Sequence, residues 1–294
     1  MVGMGVSLNG MVSGSALLAR WYRKRLSTAI GIAFAGVGVG ALVFVPLAQY
    51  LITHYDWRST YRGLGIALLA GAPLVMLLLP WRRFAAGHPE LSRTRAKGTQ
   101  EGATVGVALR TQAFWGLATV FFCTATAMFS ILVQLVVFFI DSGFSPLTSA
   151  TAFGAIGLLS AASVMLSGLV SEHFGYRQTV TASFAGTGTG VVVLVLISLF
   201  PSTVLLGAFV LVFGLCMGVR GPIISTVSAR YFAGPKVATI YGAIYSTNAL
   251  GAAFGSFVGG VLHDFTGGYR AGLFFALAFV VLAALPFWTV PALR

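Results

Sequence analysis

Charged side chains are scarce in this chain, and acidic ones are the scarcest. Only 8% of the 294 residues are charged, whereas soluble globular domains carry about a quarter. Lys and Arg number 18 against 6 Asp and Glu, which gives a net charge of +12. With 57% hydrophobic residues and a mean hydropathy of +0.93, the composition excludes a soluble protein and indicates a membrane protein.

Cysteines and recognisable catalytic motifs are also lacking. Cys123 and Cys216 lie inside apolar runs without CxxC spacing, so we predict inert packing residues and neither a disulfide nor a metal site. The sequence contains no GxxxxGK[ST], GxSxG or HExxH pattern. We therefore expect neither an enzyme nor a nucleotide-driven pump, and no cofactor. The basic residues lie at the ends of apolar runs, which speaks against a nucleic-acid-binding face.

Long apolar runs dominate what is present. About 20 apolar residues span a bilayer as a helix, and strands of a membrane barrel would alternate apolar and polar residues, which these runs do not. The sequence predicts an all-α polytopic fold with membrane-spanning helices at residues 1–19, 26–53, 60–80, 113–140, 147–170, 178–200, 203–228, 236–262 and 270–290.

The distribution of Lys and Arg predicts an orientation. One set of connections, including residues 20–25, 82–110 and 220–236, carries fifteen of the 18 basic residues, and the other set carries Arg58, Arg62 and Arg270. The positive-inside rule places the richer set, and the C-terminus, in the cytoplasm of a cell-membrane protein. The polar stretch 81–112 is interpreted as a flexible cytoplasmic linker, with a basic lipid-contacting segment as the alternative.

A repeat relates the two ends of the chain. The stretch around Ala19–Pro46 has an echo at Ala229–Phe257, in which an Ala-Arg-aromatic-aromatic step joins two apolar runs. We predict a partial N-terminal helical half at 1–80 and a six-helix C-terminal half at 113–294. If the halves are parallel repeats, three helices of about ninety residues would precede Met1.

Three stretches resemble the major facilitator superfamily. They are the basic loop Trp21–Arg25 leading into Ala29–Gly31, the stretch Gly168–Arg177 (GLVSEHFGYR), and the stretch Gly259–Tyr269 (GGVLHDFTGGY). The second is similar to the family signature Gly-x-x-x-Asp-Arg-x-Gly-Arg-Lys, with Glu172, His173 and Tyr176 at three variant positions. The pattern leans towards the branch of monocarboxylate and oxalate/formate porters.

The resemblance implies a secondary transporter. Family members move small solutes by rocking two six-helix halves around a central cavity, so we expect a monomer in the bilayer that carries a small organic anion or metabolite. A coupling proton is compatible with this. The alternative is a truncated, non-transporting membrane protein, a sensor or a scaffold. Porters of the suggested branch carry a basic residue in the helices matching 147–170 or 237–262, and here those runs contain none.

Arg220 is the strongest single candidate for a substrate-binding residue. A charge inside an apolar run is costly and usually faces a cavity or a partner, and guanidinium pairs well with carboxylate. The run corresponds to a cavity-lining helix of the family. Arg220 is interpreted either as an anchor for an anionic substrate or as a side chain that snorkels to the cytoplasmic interface.

Other polar side chains lie in the apolar runs and are candidates for hydrogen bonds to a solute. Each is alternatively a hydrogen-bonding partner between helices. They are Asn9, Gln134, Tyr241, Tyr245 and Asn248.

Small residues and one loop are candidates for conformational change. Close helix crossings that can slide are predicted at Gly36, Gly40, Gly251 and Gly255, with plain packing as the alternative. The loop that resembles the family signature is predicted to hold a gate state through charge contacts, or else to be a solvated loop. Its candidate residues are Gly168, Glu172, His173, Gly175 and Arg177.

No acid lies deep in any run. A proton relay normally uses a buried carboxylate or histidine, and all six acids lie at run ends or in loops. Coupling would use residues preceding this sequence, or Asp141 at a helix mouth, or transport would be uniport or exchange.

Overall fold

Helices account for the regular structure of the described residues. The computed structural model describes residue 21 and the ranges 26–78, 105–232 and 237–291, and these contain no strand. The helices are α1 (Leu26–His54), α2 (Trp57–Leu78), α3 (Val105–Ala108), α4 (Gln112–Leu132), α5 (Leu135–Asp141), α6 (Pro146–Phe174), α7 (Tyr176–Ile197), α8 (Thr203–Met217), α9 (Arg220–Tyr231), α10 (Val237–Thr266), α11 (Arg270–Ala284) and α12 (Pro286–Thr289).

The all-α polytopic fold class is confirmed. Eight of the predicted spans coincide with helices or helix pairs, and the span 1–19 lies outside the described residues. Six spans within the described ranges have the length and hydropathy to cross a membrane. Most of the predicted linker also lies outside the described residues, and its last part forms the turn α3 and the start of α4.

Three predicted spans are interrupted rather than continuous. Pro222 has no N–H to donate to the carbonyl of Gly218, four residues earlier. Gly218 lies between α8 and α9, where the span is interrupted. Pro286 starts α12 in the same way. The break between α4 and α5, at Val133 and Gln134, has no Gly or Pro to mark it.

Polar residues cap the helices at the connections. The hydroxyls of Thr111, Ser145 and Ser202 each accept a hydrogen bond from a backbone N–H of the first turn that follows. Gly175 separates α6 from α7 with φ +83°, a conformation that only glycine adopts readily. Gly175 therefore forms the turn of the signature-like loop.

The closest approach between α1 and α6 is made by glycines that the sequence did not single out. A Cβ at Gly38 would clash with the backbone of Gly157, and one at Gly154 would meet Leu42. A Cβ at Gly36 or Gly40 would meet nothing within 4 Å among the residues that the structure describes, so the crossings expected at these two glycines stay a prediction. Glycines at alternate positions face different sides of a helix, so the spacing alone could not select Gly38.

The α4–α10 crossing follows the predicted small residues. A Cβ at Gly251 would clash with the backbone of Phe122, and one at Gly255 with that of Thr126. The hydroxyl of Thr126 donates to the Gly251 carbonyl (3.2 Å), and that of Thr247 donates to the Ala118 carbonyl (3.0 Å). Small residues thus bring the two backbones together and allow hydrogen bonds between the helices.

Contacts identify the two ends of the bundle. At one end, Asp141 meets Tyr269, and this end also holds the α1–α2 connection with Arg58 and Arg62. We call it the weakly basic end. At the opposite end, Arg177 packs on Trp288.

Candidate functional site

Arg220 is the first residue of α9 and lies at the interruption of a membrane span. The span covers Thr203–Ser228, and Gly218 and Val219 separate its two helical parts. The hydroxyl of Ser183 on α7 donates to the carbonyl of Cys216 (2.6 Å). That bond satisfies a carbonyl at the end of α8, as helix ends inside a bilayer require.

The Arg220 side chain is enclosed by protein. It is 1% exposed and is the bulkiest of the fully buried side chains in the described residues. Its Nη2 donates to the hydroxyl of Thr187, and its guanidinium carbon lies 4.7 Å from the centre of the Phe184 ring. Both partners are on α7. In this conformation the guanidinium is enclosed by protein rather than extended into solvent, which favours the anchor interpretation over snorkelling.

Two Arg220 nitrogens have no partner among the described residues. Nε and Nη1 are buried, and their N–H groups donate to no acceptor in that part of the chain. A guanidinium has five N–H donors, and Thr187 cannot supply more than a neutral acceptor, since its own proton goes to the Ser183 carbonyl (3.0 Å). A charge at the centre of a membrane helix costs about 2.5–3.5 kcal/mol on insertion scales. The arrangement is a buried cation with donors free for an anion.

Small residues pack tightly around this cation. A Cβ at Gly186 would clash with Cys216, and one at Gly218 would clash with the carbonyl of Ser160. Helices α6, α7 and α8 therefore approach closely beside Arg220, and an anion that reaches the guanidinium requires the helices to separate.

The polar candidates on α10 form a different group. Tyr241 and Tyr245 are both half-buried, and each packs edge-on against Phe121 of α4, with ring centres 6.3 and 5.5 Å away. Asn248 is half-buried one turn further along α10. Gln134 is half-buried at the α4–α5 break, and Asn9 lies outside the described residues. The partners of Arg220 are on α7 and those of the tyrosines on α4, so the two groups share no partner in these contacts.

Arg177 packs against the last helix rather than along its own loop. Its guanidinium carbon lies 3.5 Å from the Trp288 ring centre, and Trp288 Nε1 donates to the hydroxyl of Thr181 (3.1 Å). This contact ties the start of α7 to α12. His173 is exposed beside Phe174, a Cβ at Gly168 would meet nothing within 4 Å, and the Glu172 side chain lies outside the described part of the chain.

Sequence reasoning missed the two residues that hold Arg220. Thr187 and Phe184 lie in an apolar run whose register against Arg220 depends on how α7 and α9 pack. A weak signal exists, since Ser183, Thr187 and Gly190 recur at helical spacing and all are buried.

Comparison with known proteins identifies the family. The family model described as Major Facilitator Superfamily matches residues 1–247 and 164–293, and the chain belongs to this family. It is 26% identical over 295 residues to monocarboxylate transporter 13 of Bos taurus, covering 96% of this chain and 66% of that protein. It is 24% identical over 300 residues to the oxalate:formate antiporter of Oxalobacter formigenes, covering 99% of this chain and 68% of that protein.

A solved structure has a similar fold. The Escherichia coli fucose:proton symporter superposes with a TM-score of 0.50 at 13% sequence identity, covering 97% of this chain and 91% of that chain. This likeness concerns the fold of the helices that present Arg220. The relatives named above are transporters.

Proposed function

We propose that this protein binds a small organic anion at Arg220 and carries it across the membrane by alternating access between two helical halves. The observation that carries the proposal is the buried guanidinium with Nε and Nη1 unpartnered. A cation enclosed in a membrane span is expensive to keep without a function. An anion would supply the missing acceptors.

The class of solute follows from the chemistry of the guanidinium. Its planar fork matches the two oxygens of a carboxylate. The relatives named as monocarboxylate and oxalate:formate transporters support a carboxylate for this chain as well. Since the chain spans about two thirds of their length, its whole activity is part of the proposal.

The mechanism is proposed from the helix contacts. Arg220 is 1% exposed, so solute access requires a second conformation in which the helices beside it separate. The α1–α6 crossing joins the two predicted halves through Gly38 and Gly157, and a contact without side chains between the backbones allows the halves to slide. We propose that the Arg177–Trp288 contact stabilises one of the two states.

A binding measurement tests the anion site. The purified chain in lipid nanodiscs is titrated with radiolabelled formate, oxalate, gallate and lactate. We expect Arg220→Ala to weaken binding of the preferred carboxylate by about tenfold or more, since hydrogen bonds to a charged group contribute about 1.5–3 kcal/mol. Arg220→Lys keeps the charge without the fork and should fall between wild type and Arg220→Ala.

The control is Arg58→Ala, which removes an exposed arginine and should leave affinity unchanged. Loss of affinity in both variants, or a wild-type chain that binds none of the carboxylates, would refute the anion site. Uptake into proteoliposomes then separates transport from sensing, because binding without uptake favours a sensor.

The proposed topology places the multi-pass chain in the cell membrane with its C-terminus in the cytoplasm. In a chain lacking Cys123 and Cys216, a cysteine at Thr99 should react with an impermeant thiol reagent only from the cytoplasmic side. A cysteine at Tyr55, which is exposed at the weakly basic end, should react only from outside. The reverse pattern would overturn the orientation.

A further inference from the structure

Three residues from distant parts of the sequence meet at the weakly basic end. Asp141 is the last residue of α5, His263 is in the last turn of α10, and Tyr269 precedes α11. The Tyr269 hydroxyl donates to Asp141 Oδ2 (2.6 Å), and the Tyr269 ring stacks on the His263 ring with centres 4.5 Å apart. Tyr269 thus contacts both titratable partners.

The Tyr269 hydroxyl remains a donor at any physiological pH. Burial, together with the hydrogen bond to the Asp141 carboxylate, raises the pKa of Tyr269 to about 12. Phe138 of α5 packs edge-on against the same ring at 5.1 Å, which holds the ring between α5 and α10. The Tyr269 hydroxyl therefore does not itself change charge near neutral pH.

Within the described residues, one ring nitrogen of His263 lacks a hydrogen bond where the imidazole stacks on Tyr269. The Nδ1 atom of His263 is buried and has no hydrogen-bond partner in the part of the chain that the structure describes. Histidine is the side chain that ordinarily changes charge between pH 5 and 8, and a protonated Nδ1–H that stays buried without an acceptor would be costly. Protonation therefore favours a rearrangement that brings an acceptor to the imidazolium.

Few charged groups of the described residues lie near this cluster. Asp264, whose carboxylate can accept, is exposed next to His263, and Arg270, which can only donate, is exposed next to Tyr269. The facing parts of α4, α6, α8 and α11 contribute no further Asp, Glu, Lys, Arg or His among residues 112–132, 146–160, 203–217 and 271–284. Asp141 is the carboxylate held against this cluster, through Tyr269.

We propose that Asp141, His263 and Tyr269 form a proton-binding site that sets the position of α5. A proton taken from the adjoining solution binds the His263 imidazole. The Asp141 carboxylate then gives up its hydrogen bond from the neutral Tyr269 hydroxyl and accepts one from the imidazolium instead. Helix α5 is free to follow because Val133 and Gln134 separate it from α4. The site makes the weakly basic end respond to acidity, independently of the solute that Arg220 binds.

Hydrogen–deuterium exchange of the intact chain in nanodiscs tests this site. Exchange of residues 135–144 is followed at pH 7.5 and 5.5 and divided by the intrinsic rate at each pH. We expect the wild-type protection of this segment to change by about tenfold, the equilibrium factor for exchanging one hydrogen bond to a charged group. Asp141→Asn and His263→Gln should each abolish the change.

The matched control is Asp264→Asn, which removes the same charge one residue from His263. It should retain the wild-type response. Tyr269→Phe provides a further variant, because it frees the carboxylate while retaining the stacked ring, and it should leave residues 135–144 less protected already at pH 7.5. A wild-type segment with equal protection at both pH values, or an Asp264→Asn chain that loses the response as Asp141→Asn does, would overturn the proposal.

Discussion

Replacing Arg220 with methionine should stabilise the unliganded protein while removing its anion site. The change deletes the two unpartnered nitrogens, Nε and Nη1, each of which costs about 1–3 kcal/mol when left buried without an acceptor. It also deletes the hydrogen bond to Thr187 and the contact with the Phe184 ring, which contribute about 1.5–3 and about 0.5–2 kcal/mol.

The substitution leaves the Thr187 hydroxyl with a hydrogen-bond partner. The Thr187 hydroxyl keeps its own donor bond to the Ser183 carbonyl, and methionine adapts its shape to the space left by arginine. Replacing buried charges with apolar residues of similar volume is often neutral or stabilising by about 1–4 kcal/mol. We therefore expect a gain in the free energy of unfolding of about 1–2 kcal/mol.

Unfolding by SDS titration in mixed micelles measures the gain. Arg58→Met, at an exposed arginine, is the control for adding an apolar side chain. The variant Thr187→Val should lose about 1.5–3 kcal/mol alone, since the guanidinium then lacks its acceptor, and close to nothing in the Arg220→Met background. A loss of more than about 1 kcal/mol in Arg220→Met would refute the reasoning, because it would make Arg220 an anchor of the fold.

Two further predictions concern the α4–α10 crossing and the weakly basic end. Gly255→Val should destabilise the protein by about 1–3 kcal/mol in the same titration, because the new side chain would clash with the backbone of Thr126. The control Gly260→Val, with open space around the glycine, should change stability little, and equal effects of the two variants would contradict a tight crossing. Asp141→Asn should lower the pKa of Tyr269 from about 12 while burial keeps it above the ordinary value, as measured by tyrosinate absorbance against a Tyr269→Phe reference. The raised pKa favours the folded state with neutral tyrosine, so this contribution is present at lower pH and is lost as the pH rises through about 12; an unchanged titration would refute the carboxylate's role.

Helix positions were predictable because lipid imposes one strong rule. Backbone groups in hydrocarbon have to bond within their own segment, so length and hydropathy were enough to locate the spans that became α1, α2, α6 and α7. Proline chemistry explains the interruption beside Arg220, since Pro222 withholds a donor from Gly218. The α4–α5 break carries no such residue, and the pattern 113–140 predicted one continuous helix.

Packing partners were not predictable in the same way. The sequence selected Gly36 and Gly40, but the approach of α6 selects Gly38. Gly36 and Gly40 are four residues apart and share one helix face, whereas Gly38 lies on another, so only the neighbouring helix could distinguish the two faces. At the α4–α10 crossing, Gly251 and Gly255 are four residues apart and therefore share one helix face. The structure places both glycines against α4.

The sequence by itself determined the membrane class, the family resemblance and the presence of one cation within a membrane span. These depend on composition and local order, which need no knowledge of neighbours. Only the tertiary structure decided that Arg220 is enclosed by protein, that Thr187 and Phe184 contact it, and that Asp141, His263 and Tyr269 meet. The physical reason is that burial and hydrogen bonding depend on the register between helices, and the register follows from packing of whole helix faces.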